Sequence, residues 1–261
     1  MISQPSEAER TALAASLAPA RLRPYRSVFG GDTRSAVSLY LFEMELVAAT
    51  QQVVAAVEVL MRETMHRHLA SVYGDFWFFT ERSRLDDRTR EEVQKATKFL
   101  PRRPLAGKVI AEMTFGAWTY LLEPGDSIDR GTPAARFADY EADLWRPALQ
   151  TAFSANGALS RQKASELARR ARWLRNRLSH RESFIFGLPL PGQKIHTPRG
   201  TLLVRQEPQH ALDDLRELAS SLDQTVGSWL ARCDAADKML ASPVAQQALS
   251  YIKGAHSAHW I

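Results

Sequence analysis

SRQKASELARRARWLRNRLSHRE, residues Ser160 to Glu182, is the stretch from which the rest of the chain is read. From Arg161 to Arg181 it carries Arg161, Lys163, Arg169, Arg170, Arg172, Arg175, Arg177 and Arg181 against one acid, Glu166. The whole chain has an excess of only five positive charges, so the remainder is slightly acidic. Leu167, Ala171, Leu174 and Leu178 recur at i, i+4, i+7 and i+11, which predicts a helix with one apolar stripe. At roughly 100° per residue, Arg175, Ser179, Arg172, Asn176 and His180 follow one another around the arc away from that stripe. A core helix would thus display an Arg, an Asn and a His on its polar side.

The bulk numbers set bounds on this reading. The chain has 261 residues, 45% apolar and 24% charged, enough for an ordinary core in one large domain or a domain with an extension. A single cysteine, Cys233, excludes an intramolecular disulfide and any multi-cysteine metal site. Such usage suits a reducing cytoplasm, which is the expected location. The clustered arginines point to an anionic partner, and nucleic acid fits a local cluster better than a membrane does. The most apolar long run, Leu46 to Met61, is interrupted by Gln51, Gln52 and Glu58, so no transmembrane helix is expected. Glu7, Glu9 and Arg10 precede the small-residue run Thr11 to Ala20, unlike the basic start of a signal peptide.

Outward from the opening stretch, helical patterning dominates. A short helix starts after Ser6, and Pro19 and Pro24 break the chain behind it. Asp32 or Thr33 would cap a helical run from Ser35 to about Tyr73, read as two helices or as one with a bend near Ala48 to Gln52. Val53, Val57, Leu60, Met61 and Met65 form its inward stripe. Glu58 lies four residues before Arg62, the favourable order for an ion pair. Gly74-Asp75 ends the run, and Phe76 to Phe79 read as an aromatic plug on the core. Helices are expected over Asp86–Phe99, Leu105–Leu122 and Tyr140–Ala155, the last with Pro147 near its start. Glu123–Ala135 reads as a loop. After Phe186, prolines and glycines crowd the chain. Lys194–His196 and Thr201–Val204 would pair as a hairpin, helix resumes over Gln209–Ala231, and the tail Gly254–Ile261 is expected to be mobile. The fold class is all-α: residues 1–31 as an N-terminal helix and lead-in, 32–186 as a helical bundle, and 187–261 as a mainly helical extension.

Arg175-x4-His180 carries the chemistry, although the bare spacing says little. With 27 arginines and 7 histidines, chance supplies about 0.7 such pairs, and a second, Arg205-x4-His210, exists. Pro208 interrupts that copy and no apolar stripe accompanies it. Arg175 and His180 have the stripe, the adjacent Asn176 and the surrounding arginines. His66 and His68, two apart on a helix, cannot both face one metal. His256 and His259 have no acids nearby, so no metal site is expected.

The run Leu174-Arg175-Asn176-Arg177-Leu178-Ser179-His180-Arg181-Glu182 resembles the R-N-x-x-x-H-x-E signature of the HEPN superfamily, and more narrowly of bacterial abortive-infection-like (Abi-like) proteins. Tyr40–Glu45, Val57–Arg62, Phe115–Trp118 and Leu144–Pro147 resemble further segments of that family in the same order, over about residues 20–186. Residues 187–261 have no counterpart in the resemblance. The resemblance implies a helical bundle that forms a homodimer and brings two R-x4-H motifs across one cleft. It implies a metal-independent endoribonuclease without a cofactor, serving as a toxin or phage-defence effector, with an antitoxin protein as a further partner and no membrane. His180 would move the proton of an RNA 2′-OH or of the leaving 5′-oxygen. Arg175 would hold the scissile phosphate, and Asn176 would fix an oxygen or orient the imidazole. Arg169, Arg170, Arg172, Arg177 and Arg181 would gather RNA. The competing readings are a non-catalytic RNA- or protein-binding module of a defence system, and a solvated basic face on a core helix with His180 at its C-terminal end.

Overall fold

The structure, a computed structural model, describes residues 5–198, 200–255 and 258–261. In chain order its helices are α1 (Glu7–Ser16), α2 (Pro19–Val28), α3 (Thr33–Tyr73), α4 (Asp87–Thr97), α5 (Ala106–Glu112), α6 (Phe115–Tyr120), α7 (Gln150–Ala152), α8 (Arg161–Ser179), α9 (Pro208–Leu222), α10 (Gln224–Ala231), α11 (Ala235–Leu240) and α12 (Pro243–Ala255). The strands are β1 (Ser127–Ile128), β2 (Arg136–Phe137), β3 (Leu188–Thr197), β4 (Gly200–Gln206) and β5 (Ala258–Trp260). The fold is therefore mainly helical, with a two-stranded and a three-stranded sheet rather than helices alone. The chain condenses into two compact units built from separated segments. The first comprises the chain up to Val53, Trp173–Asp213 and Cys233–Ile261; the second comprises Val54–Arg172 and Asp214–Arg232.

In the first unit, capping chemistry sets the helix starts. Ser6 Oγ accepts from Glu9 N at 3.3 Å while Ser6 N donates to Glu9 Oε2 at 2.7 Å, a reciprocal capping box for α1. The Asp32 carboxylate accepts from the backbone of Arg34 and Ser35 at 3.2 and 2.9 Å and so starts α3. α3 continues for 41 residues as one helix. By length and composition it could cross a membrane, which the scattered polar residues of its sequence did not suggest. Its residues Leu39, Leu46, Val57, Met61, Met65 and Leu69 are fully buried, as in a core helix.

The expected hairpin is present, with Lys194, Ile195 and His196 facing Leu203, Leu202 and Thr201. β3 begins earlier, at Leu188, and its register shifts between Pro189 and Lys194. Pro189 and Pro191 have no amide to donate there, which suits an irregular edge. The tail differs from expectation: β5 runs parallel to β4, pairing Leu203 with Ala258 and Arg205 with Trp260. Ile261 N donates to Arg205 O at 2.9 Å, and Glu207 N donates to Ile261 O at 2.7 Å. The end of the chain is thus tied down by backbone bonding that hydropathy does not announce.

In the second unit, Gly74 adopts φ +86° and closes α3. Trp77 and Phe78 are buried, while Phe76 and Phe79 stay exposed. Trp77 meets Trp118 edge to face at 5.9 Å and donates from Nε1 to His66 Nδ1 at 3.1 Å. His66 is thus held by the core, and burial lowers its pKa. The single helix expected over Leu105–Leu122 is two, α5 and α6, because Thr114 turns extended and its hydroxyl accepts from Ala117 N at 3.1 Å, restarting the helix. Residues 123–135, expected as plain loop, include β1, which pairs with β2.

Pro147 lies inside a π-helical segment, Glu141–Leu149, and not at a helix start. Proline cannot donate to the carbonyl four residues back, so the helix widens, and Gln150 N bonds to Trp145 O. The carbonyl left without its donor is that of Asp143, and the Tyr73 hydroxyl donates to it. Tyr73→Phe should therefore cost about 1–2 kcal/mol of stability. Urea unfolding at neutral pH would read this as a lower midpoint with an unchanged slope.

Candidate active site

The apolar stripe read from the sequence is the buried face of α8: Leu167, Ala171, Leu174 and Leu178 are all at most 3% exposed. Arg161 to Arg172 belong to the second unit, and Trp173 onward to the first. In the second unit the basic residues meet acids distant in sequence. Arg161 Nε lies 2.8 Å from Glu141 Oε2, and Lys163 Nζ 3.1 Å from Glu217 Oε2. Arg170 bonds Glu166 and, at 3.1 Å, Asp214, and its side chain is only 16% exposed. Arg172 Nη1 donates to Thr119 Oγ1 at 3.0 Å, and its guanidinium lies over the Tyr120 ring at 5.2 Å. Arg169 is half-buried.

In the first unit, α8 ends in a Schellman turn. Arg181 adopts the left-handed conformation, φ +56°. Arg181 N donates to Leu178 O at 3.2 Å, and Glu182 N donates to Arg177 O at 2.9 Å, the paired bonds of that motif. His180 is the C-cap residue, and its amide still donates to Asn176 O at 2.9 Å. Its side chain is exposed, as are those of Asn176, Arg181 and Glu182, while Arg175 is half-buried. Arg175 Nη1 makes a long contact of 3.4 Å to Asn176 Oδ1. The motif is thus a helix end: Arg175 and Asn176 in its last turns, His180 at the cap. Arg177 and Glu182 close the turn with an ion pair at 2.6 Å.

What fixes the chain beyond this turn is one buried carboxylate. Glu43 of α3 is 4% exposed. It accepts from the Ser183 hydroxyl at 2.9 and 3.1 Å, from Ile185 N at 3.0 Å, from Phe184 N, and from the Tyr25 hydroxyl. Burial, then the Glu43 charge, raises the Tyr25 pKa. Tyr25 also meets Tyr40 edge-on at 5.5 Å and Phe186 at 5.3 Å.

A second arginine joins Arg177. Arg205 donates from Nη2 to Phe186 O and Gly187 O at 2.9 and 3.1 Å and lies over the Trp260 ring at 5.3 Å. Burial lowers the pKa of both guanidiniums. The charge of Arg177 depresses Arg205 further, while Glu182 and Glu43 offset the effect at Arg177. The Nε atoms of both are buried without a hydrogen-bond partner among the described residues. Arg205 therefore sits on a strand, whereas His210 belongs to α9, which begins at Pro208. The second R-x4-H spacing forms no helix-end pair.

Among the described residues no group of three His, Cys, Asp or Glu could hold a metal; His256 lies outside the described residues. Arg62 Nη1 donates to Ala111 O at 3.1 Å. The residues that sequence reasoning missed are Glu43, Tyr25 and Ser183, and Arg205 was weighed only as half of the second R-x4-H spacing. The signal for Glu43 was available: it falls at the helical spacing of Leu39, Leu46 and Thr50, all fully buried, so an acid stands on an apolar stripe. The chain matches no family model, no curated protein and no solved structure.

Two measurements probe the turn. Arg181→Gly relieves a left-handed side-chain clash and should add about 1 kcal/mol of stability, read as a rise in melting temperature. Tyr25 gives a pH signature. Its folded pKa is raised, so its contribution is fully present below the unfolded value of about 10 and is lost as pH rises beyond it. Stability should fall above that pH. Tyr25→Phe should be less stable at pH 7 and fall less steeply above pH 10.

Proposed function

We propose that this protein is a HEPN-type, Abi-like, metal-independent endoribonuclease that acts as a toxin or phage-defence effector. The observation that carries the reading is the exposed His180 at the cap of α8, on a turn closed by Arg177–Glu182 and followed by a segment clamped by Glu43. A catalytic imidazole needs access to substrate and a fixed backbone, and this position offers both.

His180 takes the proton from an RNA 2′-hydroxyl. The freed 2′-oxygen attacks phosphorus, the P–O5′ bond breaks, and a second imidazole protonates the departing 5′-oxygen. The products are a 2′,3′-cyclic phosphate and a 5′-hydroxyl. DNA has no 2′-hydroxyl and does not react this way. Arg175 holds the non-bridging oxygens as charge builds on them, and Asn176 orients a phosphate oxygen or the imidazole. Arg181, exposed beside His180, adds positive potential. An ideal helix sets residues five apart about 140° from one another, so one copy does not direct both Arg175 and His180 at one phosphate by helix geometry alone. A homodimer supplies the missing half-site and the second imidazole.

Labelled single-stranded RNA incubated with the protein in EDTA should be cut to cyclic-phosphate ends. His180→Ala, at an exposed position that leaves the core intact, should slow cutting at least about 100-fold, and Arg175→Ala should do likewise. RNA binding with no cleavage supports the non-catalytic module instead. Cleavage that survives His180→Ala overturns the assignment.

A further inference from the structure

The most basic stretch of the sequence is not the surface with the most uncommitted charge. α2, PARLRPYRSV, exposes Arg21, Arg23 and Arg26, and no acid occurs from Leu17 to Gly31. Among the described residues none of these three guanidiniums reaches a carboxylate. Arg26 Nε donates to Gly31 O at 3.2 Å, and Arg21 donates to Arg181 O. That second bond joins α2 to the residue following His180, within the same unit, on the side of the helix away from Arg23 and Arg26.

α12 packs against α2. It presents Tyr251, 39% exposed, to a cavity of about 570 Å³ lined also by Pro19, Ala20, Arg23, Arg26 and Gly30. That volume lies within the range of about 300–1,000 Å³ typical of ligand pockets. The walls combine two kinds of chemistry. Arg23 and Arg26, three residues apart, are neighbours on one helix face and offer charge for phosphates. Tyr251 offers an aromatic ring for a base.

We propose that this groove binds single-stranded RNA, with Arg23 and Arg26 on the phosphates and the Tyr251 ring stacked on a base. The inference rests on the RNA reading above and names a second place, within the same unit as His180, where the strand is held. A phosphate track beside an aromatic platform is the arrangement that holds single strands without regard to sequence. A concave wall with one aromatic ring suits a flexible strand better than a flat bilayer.

The test uses the full chain carrying His180→Ala, so that RNA stays uncut, and fluorescence anisotropy with a labelled single-stranded RNA oligonucleotide. Arg23→Ala/Arg26→Ala should weaken binding about tenfold or more and make its salt dependence shallower by about two charges. Tyr251→Ala should weaken binding about tenfold with the salt dependence unchanged. Arg102→Ala/Arg103→Ala, which removes equal charge from an exposed segment of the other unit, serves as the control and should bind as the parent does. All these positions are exposed, and circular dichroism checks that each variant folds. Equal losses in the control and the α2 pair, no loss on Tyr251→Ala, or no RNA binding by the parent would overturn the groove. Cleavage separates the two ideas. If the chain with native His180 does not cut RNA but the α2 and Tyr251 losses persist, the catalytic reading falls and the groove stands. If it cuts while α2 variants bind and cut unchanged, the groove falls alone.

Discussion

The turn that carries Arg175, Asn176 and His180 depends on the Glu43 carboxylate. Burying an ionised carboxylate costs several kcal/mol unless hydrogen bonds replace its water. Here the replacement is ample: two hydroxyls and two backbone amides converge on it. Charge-assisted bonds of this kind are stronger than neutral ones. The two amides belong to Phe184 and Ile185, so the carboxylate fixes backbone as well as side chains. Removing Glu43 would leave those amides buried and unpaired, and the segment after α8 would lose the anchor that holds its course.

That anchor explains how Arg181 can remain left-handed. A side chain there costs roughly 1–2 kcal/mol, and helices usually place glycine at this point. The Schellman bonds, the Arg177–Glu182 pair and the Arg21 bond to Arg181 O together over-determine the conformation. Strain that persists only because its surroundings hold it is typical of positions with a function. In this chain it falls on the residue next to the proposed imidazole.

The helix was legible in the sequence because one period of Leu167, Ala171, Leu174 and Leu178 was enough to orient it. The pairing of Lys194–His196 with Thr201–Val204 was legible from two short runs flanking Thr197–Gly200, but its register was not. β5 was not, since parallel pairing of a three-residue tail with β4 is a long-range event with no local pattern. Nor was the break at Thr114. Its residues would also suit one continuous helix, and only the cap geometry distinguishes the two. Pro147 was noticed, but its effect depended on Tyr73, seventy-four residues earlier by sequence count, donating to Asp143 O. Glu43 stood on a buried stripe in plain view, but a single acid at helical spacing does not say which donors it will meet.

Charge shows the limit of local reading most clearly. Along the sequence, Arg161 to Arg181 holds eight basic residues against Glu166. In space, Glu141, Glu217, Asp214 and Glu182 take Arg161, Lys163, Arg170 and Arg177. A guanidinium already held by a carboxylate must give up that bond to hold a phosphate, and the exchange returns little. A guanidinium facing water releases counterions when RNA arrives and gains the full benefit. Among the described residues the arginines of α2 meet no carboxylate, only backbone carbonyls at Arg21 and Arg26, which puts them nearer the second kind, although nothing in their local composition ranks them above α8. Electrostatic recruitment therefore follows the residues the fold leaves unmatched, and on that criterion Arg23 and Arg26 of α2 rank above the paired arginines of α8.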